Sequence, residues 1–239
     1  MLWFQKKKKP ARPLCGAVIA AAGSSTRMGE DKLFLSLGEE PVLVHTLRVF
    51  QTAPEISELV VVTRQELIVP VAQLCKDHGL DKVSKVIAGG QTRTESVRLG
   101  VLELTSDPEL IAIHDGARPF VTGEIVRDTV AAAKKYGAAA PAVPLTDTIK
   151  ELDGDGLAAR TVEREGLRAV QTPQIFQEGL IRAALQKALD DGAVLTDDCA
   201  AVERLGMKVV LTPGSGENIK LTTPADLVYA RAILEARTL

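Results

Sequence analysis

The sequence predicts an α/β fold: a single, mostly parallel sheet with helices on both faces and a β-hairpin arm projecting from it. Three observations carry that prediction. Short apolar, β-branched runs alternate with segments of helical spacing, the pattern of βαβ units. The 239 residues suffice for one large domain and are few for two. Hydrophobic residues make up 46% of the chain and aromatics only 3%, so Ala, Val, Leu and Ile must build the core, as in a sheet covered by helices.

Taken in order, Leu14 to Ala21 reads as a buried strand, and Pro41 to Phe50 carries apolar residues at helical spacing. Leu59 to Thr63 is a β-branched strand followed by a helix over Glu66 to His78. Val83 to Ala88 and Leu110 to His114 are the next strands, each followed by a helix, over Thr94 to Leu104 and Gly123 to Tyr136. The rhythm then breaks. Thr146 to Leu152 and Leu157 to Val162 flank Asp153-Gly154-Asp155-Gly156, which reads as a hairpin arm over about 145–166. Such a hairpin is marginal alone, and docking on another subunit would stabilise it. Beyond it, Arg168 to Val170 reads as a strand and Gln177 to Leu189 as a helix. Thr196 is the expected N-cap of a helix running from Asp198 to Leu205. Lys208 to Leu211 is a last strand, and Thr223-Pro224 opens the last helix. The whole is a Rossmann-like sheet with no linker separating a second domain.

Charge and cysteine usage narrow the function classes. A formal net charge of −2 provides no global basic field for a nucleic acid. Apolar runs fall short of the ~20 residues of a membrane span. Cys15, Cys75 and Cys199 are odd in number and widely spaced, with no zinc pattern, which implies reduced thiols in a cytoplasmic protein. At the N-terminus a short apolar stretch precedes Lys6 to Lys9, the reverse of a signal peptide. Residues 1–13 read as a flexible basic tail, with a weak membrane-surface contact as the alternative.

Four segments carry chemistry. Ala20-Ala21-Ala22-Gly23 opens a small-residue loop directly after the first strand, and the loop goes on to Arg27, Gly29 and Lys32. Ligands of open α/β sheets bind beyond the carboxyl ends of strands, and such a loop lets backbone N–H groups approach phosphate. It is neither of two familiar phosphate loops. Ser25 stands where a dinucleotide fingerprint needs glycine, and Gly29 comes one residue too late for a Walker loop. Ile113 to Pro119 ends the fourth strand: Asp115 can orient a metal ion, a hydroxyl or a cation, and Arg118 can grip phosphate. The same segment is also readable as a structural Asp–Arg turn, and His114 as a group ordering the strand end. Gly89-Gly90-Gln91-Thr92-Arg93-Thr94-Glu95-Ser96 follows the third strand; the glycines admit a base closely, and Ser96 offers it a hydrogen bond, while Thr92 suits an N-cap. Lys220 lies in the turn-rich Gly214 to Pro224 segment, a site only if the fold brings it to the others.

In this order, AAAGSSTRMGEDK, HDGARP, LTDTIK, TVERE, AVQTPQ, LTDD and ENIKLTTP resemble the 2-C-methyl-D-erythritol 4-phosphate cytidylyltransferase family, over nearly the whole chain from Cys15 to Leu234. The resemblance makes 14–239 a nucleotidyltransferase domain. It implies transfer of CMP from CTP to an alcohol phosphate with Mg2+, by a homodimer joined through the arm. Arg27, Lys32, Lys220 and Arg164 match its catalytic cations. Ala21, Ala22, Gly23, Gly90, Ser96, Asp115 and Gly116 match the nucleotide site. Asp115, Arg118, Thr148, Arg164, Thr172 and Thr196 match the alcohol-phosphate site, with Asp115 also the candidate metal ligand. Arg164, Thr172 and Thr196 are expected to complete the partner's site. Ala20, Leu33, Gln91 and Gly116 depart from the usual Pro, Gln, acidic residue and Ala. A ribitol 5-phosphate cytidylyltransferase and a non-catalytic nucleotide binder on the same fold are the alternatives.

An acceptor that is already a phosphate anion needs no activating base. The barrier is two repelling polyanions, which clustered cations address.

Overall fold

A computed structural model describes residues 14–23 and 32–238. Its central feature is an eight-stranded sheet in the order β10-β7-β11-β6-β1-β4-β5, with β12 also paired to β7. The strands are β1 (Cys15–Ala20), β4 (Ile56–Thr63), β5 (Val83–Ala88), β6 (Leu110–Asp115), β7 (Ala138–Pro144), β10 (Arg168–Val170), β11 (Gln174–Gln177) and β12 (Val210–Pro213). Strands β5, β4, β1 and β6 are mutually parallel. Strand β11 runs antiparallel to both β6 and β7, so β7, and β12 parallel to it, share the direction of the first four. Only β10 and β11 are reversed, and the mostly parallel expectation holds.

Alternation along the strands builds a core on each face. Ala17, Ile19, Val61 and Ala112 point to one side, where α1 (Val42–Thr52), α2 (Ile68–Asp77), α4 (Gly123–Tyr136) and α7 (Pro224–Thr238) pack. Val18, Val60, Val62, Ile111 and Ile113 point to the other, under α3 (Arg93–Glu103), α5 (Glu178–Asp190) and α6 (Asp198–Glu203). Helix α3 lies close because Gly100 lacks a side chain: a Cβ there would stand 2.5 Å from Val18 and 2.6 Å from Val62.

Several boundaries differ from the sequence expectation. The second helix begins at Ile68, after a 3-10 turn over Gln65–Leu67, which leaves Pro70 in the first helical turn where its missing N–H costs nothing. Asp197, not Thr196, caps α6: its carboxylate accepts from the Ala200 N–H at 2.9 Å. The helix ends at Glu203, and the last strand starts at Val210. Strands β7 and β11 have no counterpart in the expected elements.

The arm is a separate two-stranded sheet of β8 (Ile149–Leu152) and β9 (Ala158–Val162), exposed along nearly its whole length. Asp153 shapes its turn by accepting from the N–H groups of Asp155 and Leu157. The remaining strands, β2 (Ser36–Leu37) and β3 (Glu40–Pro41), form a small hairpin before α1.

Candidate active site

From β1 the chain builds outward through β4 to β5, then returns across β1 to form β6 on its other side. That reversal separates the segments leaving the C-terminal ends of β1 and β6, the place where open α/β sheets take ligands. A cavity of about 410 Å³ opens there, lined by Ala20 to Gly23 after β1, Gly90 to Arg93 after β5, Asp115 and Ala117 after β6, and Lys32, Leu33, Ser96 and Lys220.

Backbone bonds hold these segments in register. The Ala21 N–H donates to Val62 O at 2.7 Å, Gly116 N–H to Ala20 O at 2.9 Å and Gly89 N–H to Thr63 O at 2.8 Å. Their close approach needs small residues. A Cβ on Gly89 would lie 2.8 Å from that of Ala22, and one on Gly90 within 2.3 Å of the Glu95 side chain. Thr92 caps α3 by accepting from the Glu95 N–H at 3.1 Å, and Glu95 accepts from the Gln91 N–H at 2.7 Å. Ser96 Oγ accepts from Gly90 N–H at 3.0 Å and donates to Thr92 O at 2.8 Å. Its proton is thus directed at the backbone. As arranged, Ser96 offers a ligand an acceptor lone pair rather than the donor a base carbonyl needs.

Charge converges on Asp115, which is 7% exposed. Lys220 Nζ stands 2.9 Å from its Oδ2, Arg118 Nε 3.5 Å and Arg93 Nη2 3.7 Å from the carboxylate. Burial raises the Asp115 pKa, but the field of Lys220 and Arg93 and the hydrogen bond from Lys220 outweigh it and hold the value at about 2. Lys220 reaches this point because its neighbours are anchored: Leu221 N–H donates to Ala117 O at 2.9 Å, and Arg118 Nη1 donates to Asn218 O at 2.6 Å. The buried Asn218 amide in turn donates to Gln171 Oε1 and to Thr172 O.

Of the expected residues, Ala21, Ala22, Gly23, Lys32, Gly90, Ser96, Asp115 and Lys220 line one cavity. Gly116 stands behind that wall and Arg118 flanks Asp115. Arg27 lies outside the described residues, as does the 1–13 tail. Thr172, expected to complete a partner's site, stands beside Asp115 of its own chain: its hydroxyl accepts from the Asp115 N–H at 3.2 Å. Thr148 and Arg164 are exposed on the arm, and Arg164 donates to Thr146 O. Thr196 is exposed just before α6, outside the cavity lining.

The sequence reading assigned Arg93 no role, yet it lines the cavity and grips Asp198 with two bonds, 2.9 and 2.7 Å. A signal was present. A cation in the first turn of a helix opposes the helix dipole, a cost that a facing anion offsets.

His114 is fully buried and orders the strand end. Thr172 Oγ1, already accepting from Asp115, donates to His114 Nδ1 at 2.8 Å, and Nε2–H faces Arg118 O at 3.4 Å. Burial pushes its pKa down to about 3, so the ring is neutral. Because the unfolded chain binds a proton at 6.5 that the folded chain refuses, this contribution to stability is complete above pH 6.5 and declines as pH falls towards 3. His114→Gln should therefore melt lower than the parent at neutral pH, but with a gap that narrows between about pH 7 and about pH 5. A gap that stays constant in thermal melts across that range would refute the assignment.

Among the described residues, no helix is long and apolar enough to cross a membrane. A family model for 2-C-methyl-D-erythritol 4-phosphate cytidylyltransferase matches residues 15–236. The enzyme of that name from Caldanaerobacter subterraneus subsp. tengcongensis is 44% identical over 225 residues, covering 91% of this chain and 97% of the relative. The one from Dehalococcoides mccartyi is 43% identical over 221 residues, covering 92% and 96%. Among solved structures, 4-diphosphocytidyl-2C-methyl-D-erythritol synthase from Anaerococcus prevotii superposes with a TM-score of 0.83 at 32% identity, covering 93% of this chain and 98% of that one.

Proposed function

The chain belongs to the 2-C-methyl-D-erythritol 4-phosphate cytidylyltransferase family, and from that premise we propose that its cavity holds CTP while the alcohol phosphate enters beside Asp115 and the arm. The reaction transfers CMP from CTP to 2-C-methyl-D-erythritol 4-phosphate in the route to isoprenoid precursors. A phosphate oxygen of the acceptor attacks the α-phosphorus, a new P–O bond forms, and the bond to the β-phosphate breaks to release pyrophosphate. The observation that carries the assignment of roles is the convergence of Lys220, Arg118 and Arg93 on Asp115, in a cavity that Lys32 also lines.

The small-residue segments, Ala21 to Gly23 and Gly90, admit the nucleotide closely. Gly116 keeps the strand ends tight behind it, and Ser96 holds the Gly90 backbone in place. Lys32 and Lys220, with Arg27, neutralise charge on the α-phosphate and the leaving group. Arg118 and Thr172 keep Asp115 oriented, and Asp115 and Thr196 face the acceptor. None of these steps needs a base, and the neutral, fully bonded His114 supplies none.

Magnesium fits as a partner of the triphosphate. Among the described residues no cluster of three metal-ligating side chains exists, and Asp115 is the one carboxylate of the cavity lining. A single carboxylate with phosphates and waters is a common magnesium donor set, in which the ion adds positive charge beside the phosphates. The exposed apolar Leu152 and Leu157 on the arm support docking on a second copy, which would bring Thr148 and Arg164 to the partner's acceptor site. Three buried free thiols suit a reducing, cytoplasmic setting.

Pyrophosphate release, followed with CTP, UTP, ATP and GTP against both 2-C-methyl-D-erythritol 4-phosphate and ribitol 5-phosphate, tests the reading. Turnover is expected with CTP and the methylerythritol phosphate. Faster turnover with ribitol 5-phosphate would overturn the acceptor assignment.

A further inference from the structure

We propose that Arg93 is a positioning residue that locks the nucleotide wall of the cavity to the segment entering α6, so that the two reactants are held in one fixed relation. Arg93 is the first residue of α3, directly after the Gly90–Thr92 wall. Its two terminal guanidinium nitrogens hold both carboxylate oxygens of Asp198, the first residue of α6, across 105 positions of sequence. Asp198 is 1% exposed and Arg93 partly exposed, so this is a bidentate grip on a buried carboxylate, which fixes both distance and orientation.

A second set of bonds fixes the α6 side. Gln174 on β11 accepts from the Asp198 and Cys199 N–H groups, both at 2.9 Å, and its amide donates to Asp197 at 2.8 Å. The residue before Asp197 is Thr196. Arg93 Nη2 also lies 3.7 Å from Asp115, so a single side chain reaches both the α6 start and the carboxylate that holds Lys220. Burial opposes the charge on Arg93, but Asp198 outweighs it, so the guanidinium keeps its proton.

The proposal rests on the placement of CTP and acceptor given above. Breaking the pair frees α6 to shift, and a misplacement of about 1 Å costs an enzyme roughly 10²-fold when it disturbs alignment of the reactants. In Asp198→Asn the charge on Arg93 loses its main partner but keeps the cavity positive. CTP affinity, read by calorimetry, should stay within about threefold of the parent, while KM for the alcohol phosphate rises at least about tenfold and kcat falls.

Asp198→Asn alone should lose stability, since it takes the main partner from a partly buried guanidinium. Arg93→Met combined with Asp198→Leu removes both charges and, as often found for buried ion pairs, is expected to fold with near-parental stability. If Arg93 positions, the double variant still shows the raised KM for the alcohol phosphate. If the double variant is stable and has a parental KM, or if CTP binding weakens by the same factor as the acceptor KM rises, the proposal is overturned. The parent protein, assayed alongside, separates this from a failure of the function itself: a parent inactive with CTP and the methylerythritol phosphate refutes the reading on which the proposal rests.

Discussion

Lys220→Ala should lower kcat by about 10²-fold or more, with a much smaller effect on CTP affinity. The reason is where the charge sits. Lys220 Nζ lies in the cavity wall, 2.9 Å from Asp115, and the rest of its loop is pinned by the Leu221 and Asn218 bonds. An ammonium held in that way needs no reorganisation when negative charge builds on the α-phosphate and the leaving pyrophosphate, so its contribution falls on the transition state more than on the bound nucleotide. Asp115 stays ionised in the variant, because Arg118 and Arg93 remain beside it, and the fold should survive. Lys32→Ala should behave similarly, since Lys32 lines the same cavity from the opposite loop. Steady-state kinetics with calorimetric CTP binding decide the matter. A kcat within about threefold of the parent in Lys220→Ala would remove the electrostatic role.

The main sheet and its rim could be read from sequence because both rest on local patterns. β1, β4, β5 and β6 are rich in apolar residues, with β-branched residues in each, and the small-residue and Asp115 loops follow two of them directly. What escaped depends on distance or on weak local propensity. Strand β7 is Ala-Ala-Ala-Pro-Ala-Val-Pro, two prolines among small residues, and only its pairing with β11 and β12 makes it a strand. The α6 cap was placed one residue early because Thr196 and Asp197 are both good caps by type, and only the bond to Ala200 separates them. The Arg93–Asp198 pair joins positions 105 apart and leaves no local trace beyond a cation at the wrong end of a helix. The bond from the Asp115 backbone to Thr172, 57 positions on, is likewise visible only in the fold.

Mixing two inactive variants should restore activity. Arg164 is exposed on the arm, tied to Thr146 at the arm's base, and lies outside the lining of the cavity that holds Lys220. If the arm serves a second copy, each complete site takes Lys220 from one subunit and Arg164 from the other. Arg164→Ala alone should then raise KM for the alcohol phosphate and lower kcat, while Lys220→Ala inactivates the site in its own cavity. In a heterodimer of the two, the cavity lacking Lys220 also receives the defective arm, but the other receives an intact Lys220 and an intact Arg164. One site in each heterodimer works, so random reassociation of equal amounts should recover about a quarter of parental activity in a two-fold dimer. If both residues instead act within one chain, every subunit carries a defect and nothing is recovered. Co-expression with two different tags yields the heterodimer in isolation, where about half of parental activity is expected. A purified heterodimer as inactive as either parent variant, or a parent enzyme fully active as a monomer, would rule out an arm that works in trans.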